Sequence, residues 1–259
     1  MGDPVVLVDR PSPRVARLLI NRPDKRNAID HAVRAEMIEA LTALAGDRTV
    51  RALVFGGRDG VFSAGGDIPS MVGLDEDGAR ARMRHIHSLC RLIADSPVPV
   101  VSAIEGIGAG GAVGLALLGD RIVVGPGTKI LFPFLRLGLT PDWGQLLTLP
   151  RRVGLPAARR LLSSGDIVGG DEAFRLALAD RLVPDAEVME AAIAEAERMA
   201  LLPLDAFRRM KGRLNEPSSS LEAEFRREED DQAVCLLSDD FDEGYRAFVG
   251  KRTPDFTTQ

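Results

Sequence analysis

Apolar residues recur along this chain in two rhythms. Short, mostly apolar runs at 50–55, 98–104 and Arg121–Val124 predict strands, and runs at 5–8 and 15–20 predict a hairpin across Pro11-Ser12-Pro13. Elsewhere the spacing is helical. Val33, Met37, Leu41 and Leu44 share one face behind a candidate N-cap at Asp30. Met83, Ile86, Cys90 and Ile93 make a second stripe in a helix predicted over 76–94, and His87 falls in that stripe. From Trp143 onward the pattern is almost wholly helical, with helices predicted over 186–201, 204–214 and 221–237. Pro203 and Pro217-Ser218-Ser219-Ser220 separate them. Strands alternating with helices predict an α/β fold with a mainly parallel core. The 259 residues suffice for one domain plus an appendage, read as a core over 1–200 and a helical region over 201–259.

Candidate chemistry gathers where the strand ending at Ile104 runs into a glycine cluster and a helix begins beyond it. Such a junction exposes backbone N–H groups at a helix N-terminus, which stabilise negative charge. Gly106, Gly108 and Gly111 spell the G-x-G-x-x-G of dinucleotide sites. That reading also asks for a carboxylate at the end of the next strand, to hold a ribose. Here the strand ends in Gly125-Pro126-Gly127, and Asp120 stands at its wrong end. The other reading is an oxyanion that forms during a reaction. It needs a second donor, and Phe62-Ser63-Ala64-Gly65-Gly66-Asp67-Ile68 follows another apolar strand. Two glycine loops converging on one thioester oxygen would stabilise an enolate or tetrahedral anion. Ordinary turns account for the same residues.

These loops resemble those of the crotonase superfamily, the enoyl-CoA hydratase/isomerase family. The resemblance spans nearly the whole chain: Asn21 to Ile29, Phe62 to Ile68, Glu105 to Asp120, and the ending Phe248 to Phe256. It implies a spiral core of ββα units with a helical C-terminal region that drives assembly into a homotrimer or a hexamer. It implies an acyl-CoA ligand and no cofactor beyond the CoA moiety. Gly66 and Gly111 take the place of the two oxyanion-hole donors. Ala28, Ala64, Asp67 and Ile68 lie where the family holds adenine and pantetheine, and Arg26 where a cation approaches the CoA phosphates. Lys251-Arg252 would reach a neighbouring subunit's CoA. The polar segment 73–78 reads as a flap over the acyl chain.

The departures bear on the reaction. By the resemblance, hydratases of this family activate water with two glutamates, and those positions are Gly114 and Phe134 here. Neither residue can move a proton, so efficient hydration is not expected. Phe134 would instead pack on the acyl chain. Asp142 matches an aspartate of dienoyl-CoA isomerases and the nucleophilic aspartate of 4-chlorobenzoyl-CoA dehalogenase, in which a histidine stands at the position of His87. The resemblance therefore implies Asp142 as base or nucleophile and His87 as proton acceptor. Asp142 can equally be a helix N-cap, and His87 a core histidine. Gly114 would also leave room for a recruited bicarbonate, as in the naphthoate-forming members of the family. A non-catalytic acyl-CoA carrier is the alternative to an enzyme.

Composition narrows the rest. With 33 basic and 38 acidic side chains, the net charge of −5 gives no support for nucleic-acid binding. Cys90 and Cys235 lie far apart without metal-ligand spacing, and His85 cannot share a helix face with His87, so no metal site is expected. Two isolated cysteines, no signal-peptide pattern and no bilayer-length apolar run predict a cytoplasmic protein away from membranes.

Overall fold

The computed structural model describes residues 3–257. Strands β1 (Val6–Ser12) and β2 (Val15–Ile20) form the expected hairpin, with a register shift between Asp9 and Ser12. Helix α1 (His31–Ala45) follows, and Asp30 caps it by accepting the Val33 N–H at 3.0 Å. Next come β3 (Ala52–Gly57), α2 (Glu76–Ala94), β4 (Val100–Ile104), β5 (Ile107–Ala109), α3 (Gly111–Leu117), β6 (Arg121–Val124) and β7 (Lys129–Leu131). Helices α4 (Gln145–Val153) and α5 (Leu155–Ser164), strand β8 (Val168–Gly169), helix α6 (Gly170–Arg175) and strand β9 (Arg181–Leu182) lead into the helical end. That end comprises α7 (Val188–Met199), α8 (Leu204–Asn215), α9 (Leu221–Leu236) and α10 (Asp239–Gly250).

The six-stranded sheet runs β1-β2-β3-β4-β6-β9, parallel from β2 onward, and a three-stranded sheet runs β5-β7-β8. Two successive steps of the spiral lay one strand in the large sheet, one in the small sheet, and then a helix: β4–β5–α3, then β6–β7–α4. This is the expected spiral of ββα units. The large sheet's parallel strands are in sequence order, with no reversal. A dinucleotide crevice forms at such a reversal, so the G-x-G-x-x-G reading is overturned by topology. Asp120 is structural, accepting the Val100 N–H at 2.8 Å and the Lys211 ammonium at 2.9 Å.

Both faces of the central strands β3, β4 and β6 are buried, which is why they read as mostly apolar runs. Leu53, Phe55, Val100 and Ile104 pack into the larger core, with Met37 and Leu41 of α1 and Ile86, Leu89 and Ile93 of α2. Ala52, Val54, Val101, Ala103 and Val123 face Val188, Ala192, Ala196 and Met199 of α7. Strands β5, β7, β8 and β9, of two or three residues each, are too short to show a period in sequence. Gly78 lies inside α2, whose N-cap Asp75 accepts its N–H at 2.8 Å, so the non-helical stretch ends before 76.

Candidate functional site

Two glycine turns meet, one after β3 and one between β5 and α3. The first is held from below by Asn27, fully buried, whose side-chain amide donates to the carbonyls of Arg58 at 2.9 Å and Val61 at 2.5 Å. Ser63 donates to the Asn27 carbonyl at 2.7 Å and accepts the Gly65 N–H at 3.1 Å. Backbone bonds tie this loop to the 26–29 segment on one side (Ile29 N–H to Gly65 carbonyl, 2.7 Å) and to β5 on the other (Ala109 N–H to Ser63 carbonyl, 3.0 Å). Gly65, at φ +91°, presses on the Ala109 carbonyl so closely that a Cβ there would stand 2.5 Å from it. The two turns are therefore in contact. Among the described residues, no acceptor takes the N–H of Gly66 or of Gly111.

Both glycines open onto a cavity of about 710 Å³. The structure brings Ala64, Gly66, Ile68, His87, Gly111, Phe134 and Asp142 together in its wall. Arg26, Ala28 and Asp67 are not part of that wall. Arg26 is exposed with φ 48°, and its carbonyl takes the Ala64 N–H at 2.9 Å. The Ala28 carbonyl accepts from Arg22 at 2.7 Å, and the Asp67 carboxylate pairs with the same guanidinium at 3.1 Å. Arg252 is engaged by Glu243 through two bonds of 2.5 and 2.7 Å, so of the terminal basic pair only Lys251 lacks an acidic partner among the described residues.

Two sequence expectations need correction. His87 is not a core residue. The core stripe of α2 is Ile86, Leu89 and Ile93, and one residue along a helix turns the side chain by about 100°. His87 is exposed and shares a second stripe with Ala79, Arg82 and Met83, which faces the cavity. Asp142 is not an N-cap either. Helix α4 starts at Gln145 behind Gly144, with no side-chain cap. Asp142 Oδ1 is buried with no hydrogen-bond partner. Burial holds its carboxyl above the ordinary aspartate range, against the opposing pull of Arg82, a backbone bond, His87 and Arg34. The same burial, with the Asp142 charge, pushes the Cys90 thiol up to about 12, so that thiol stays protonated.

Gly114 does not leave a vacancy. A Cβ there would overlap Trp143 and stand 3.0 Å from the Gln145 side-chain nitrogen. Trp143, 3% exposed and at φ 55°, also covers Gly111. Gln145 is fully buried and donates to the carbonyls of Gly110 and Asp142, each at 3.1 Å, tying the aspartate loop to the glycine turn. The sequence reading missed Arg82 and Gln145. Arg82 was visible as the neighbour of Met83 at helical spacing from Ala79. Gln145 carried no local signal. Among the described residues, no group of three or more His, Cys, Asp or Glu could hold a metal ion, and no helix is long and apolar enough to cross a membrane.

Residues 11–259 match the family model described as enoyl-CoA hydratase/isomerase. The chain is 30% identical over 248 residues to the 1,2-epoxyphenylacetyl-CoA isomerase of Escherichia coli, covering 94% of this chain and 95% of the relative. It is 32% identical over 248 residues to the crotonyl-CoA hydratase of Syntrophomonas wolfei, covering 95% of each. The crystal structure of an enoyl-CoA hydratase from Bacillus anthracis superposes with a TM-score of 0.91 at 26% identity, covering 98% of this chain and 100% of the other.

Proposed function

The chain belongs to the enoyl-CoA hydratase/isomerase family of the crotonase superfamily, and from that premise we propose that it binds an acyl-CoA thioester and stabilises an oxyanion formed on it. The Gly66 and Gly111 N–H groups, both unpaired and facing one cavity, carry the reading. Two such donors fixed in a pocket shielded from water stabilise developing charge without reorganising. Asp142 is the base or nucleophile. Its Oδ1 has no hydrogen-bond partner, and burial raises the proton affinity of the carboxyl toward the range a general base needs. His87, on the facing stripe of α2, is the second proton carrier. Ala64 and Ile68 line the path of the CoA arm, and Phe134 packs against the acyl chain.

With Gly114 and Phe134 at the positions that the family resemblance assigns to the hydratase glutamates, the reaction we favour is isomerase-like or covalent rather than efficient hydration. The Escherichia coli relative, named as an isomerase of a CoA ester, is consistent with that choice. The same two residues favour a second reading, a non-catalytic acyl-CoA carrier. Incubation in heavy water with acyl-, enoyl- and aryl-CoA thioesters, read by mass spectrometry, separates the two. Deuterium uptake or a product of new mass supports catalysis. Thioesters that bind yet stay unchanged support the carrier. In the catalytic case, Asp142→Asn is expected to lower turnover on the order of 10²–10⁴-fold with CoA affinity nearly intact. Unchanged turnover in that variant would remove Asp142 from the mechanism.

A further inference from the structure

Beside the acyl cavity lies a smaller one of about 290 Å³, whose wall includes His31, Arg34, Ser70, Leu74, Arg82 and His85. Leu74 and Arg82 line both cavities and so form the partition between them. The smaller cavity's charge is one-sided, since no acidic side chain lines it. Arg34 is only 3% exposed. Its Nε donates to His85 Nδ1 at 3.3 Å, while its Nη1 is buried with no partner. The stacked rings of His31 and His85, 4.4 Å apart, add no negative charge. Arg82, in the partition, has no hydrogen-bonded or ion-paired partner among the described residues.

Two carboxylates act on these guanidiniums from a distance. Asp142 attracts both but bonds neither, and its Oδ1 is itself unpartnered. Asp30 also attracts Arg34, yet it caps α1 and pairs with Arg22 at 3.1 Å. Two guanidiniums thus share one uncommitted carboxylate. Arg34 registers the deficit: burial and the like charge of Arg82 push it down to about 10. A buried N–H donor left unpaired is costly, and an apolar acyl chain entering here would leave it so. A carboxylate would satisfy it, because the planar guanidinium matches carboxylate geometry.

We propose that this side cavity receives a second carboxylate carried by the acyl group itself, so that the preferred ligands are mono-CoA thioesters of dicarboxylic acids. The inference rests on the acyl-CoA reading above and names the class of acyl group. Arg82 sets the distance. Its Nη2 stands 3.5 Å from where a Cβ on Gly66 would project, beside the candidate oxyanion donor. The second carboxylate therefore lies only a few carbons from the thioester. Arg82 and Arg34 act as specificity-determining residues, Arg82 at the entrance and Arg34 at the base.

Calorimetric titration of the whole protein with thioesters of matched length tests this: butyryl-CoA against succinyl-CoA, and hexanoyl-CoA against adipyl-CoA, with free CoA as reference. The carboxylated member of at least one pair is expected to bind roughly tenfold to hundredfold more tightly. Arg82→Gln should erase that difference and Arg82→Lys should keep part of it. Arg34→Met should also erase it, with circular dichroism confirming that this buried substitution leaves the fold intact. Equal affinity within both pairs overturns the proposal while leaving the acyl-CoA reading standing. So does a preference that survives Arg82→Gln. If no thioester binds more tightly than free CoA, the acyl-CoA reading itself fails, and this inference falls with it.

Discussion

Asp142 and Trp143 are neighbours with opposite surroundings. The Oδ1 of one is buried without a hydrogen-bond partner, while the indole of the other fills the space over Gly111 and Gly114. Because burial disfavours the charged form, folded Asp142 keeps its proton to higher pH than it would in the unfolded chain. The sign follows: stability associated with this group is present at low pH and is lost as pH rises through its folded-state value. Asp142→Asn is therefore expected to raise stability near neutral pH by roughly 0.5–2 kcal/mol while turnover falls, the usual trade at a functional site. Urea unfolding at neutral and acidic pH checks it, since the gain should vanish at the acidic end. In the active protein, the acid limb of kcat/KM should have its midpoint above the ordinary aspartate range. At Gly114, the added methyl of Gly114→Ala has nowhere to go but into Trp143, and a loss of about 1–3 kcal/mol is expected in the same unfolding assay.

At the scale of elements, local rules held wherever one segment decided its own structure. Asp30, Asp75 and Ser220 cap α1, α2 and α9 through their side chains. The capped helices α1 and α2 begin where the polar-to-apolar pattern changes. The exceptions were elements made by their neighbours. Strands β8 and β9 exist because β7 and β6 offer them backbone partners. Helix α8 is docked by a buried ion pair, Lys211 with Asp120, in which the lysine is 5% exposed. Lys211→Ala leaves a mostly buried carboxylate with one bond fewer and is expected to cost about 3 kcal/mol. Thermal or urea unfolding would measure it, and an unchanged midpoint would show that α8 docks through Phe207 and its apolar contacts alone.

On the scale of the whole molecule, the helical end carries more apolar surface than the core needs. Leu237 is 89% exposed and Phe248 83%, with Tyr245 and Val249 beside them on α10. Exposed apolar surface of this kind is a candidate contact surface. The proposed partner is a second copy, in the trimer or hexamer that the family resemblance implies. Leu237→Glu with Phe248→Glu is expected to release monomers, as read by light scattering after size exclusion. A wild-type protein that is already monomeric would remove the proposal.

The sequence by itself determined the α/β class, strands β1 to β4 and β6 of the large sheet, the Asp30 cap of α1, and the two glycine turns that line the site. These are properties of single segments: a run of apolar residues, a period, a glycine where φ is positive. It could not separate a histidine on the core stripe from one turned about 100° away, because Met83 and Cys90 border both faces of α2. Nor could it tell a cap from a buried carboxylate at Asp142, since only the start of α4 decides that. The tertiary structure decided these, along with the filling of the Gly114 position by Trp143 and the meeting of Arg34 with Arg82 across α1 and α2. Each depends on side chains distant in sequence competing for one volume, and that volume exists only once the sheets and helices have packed.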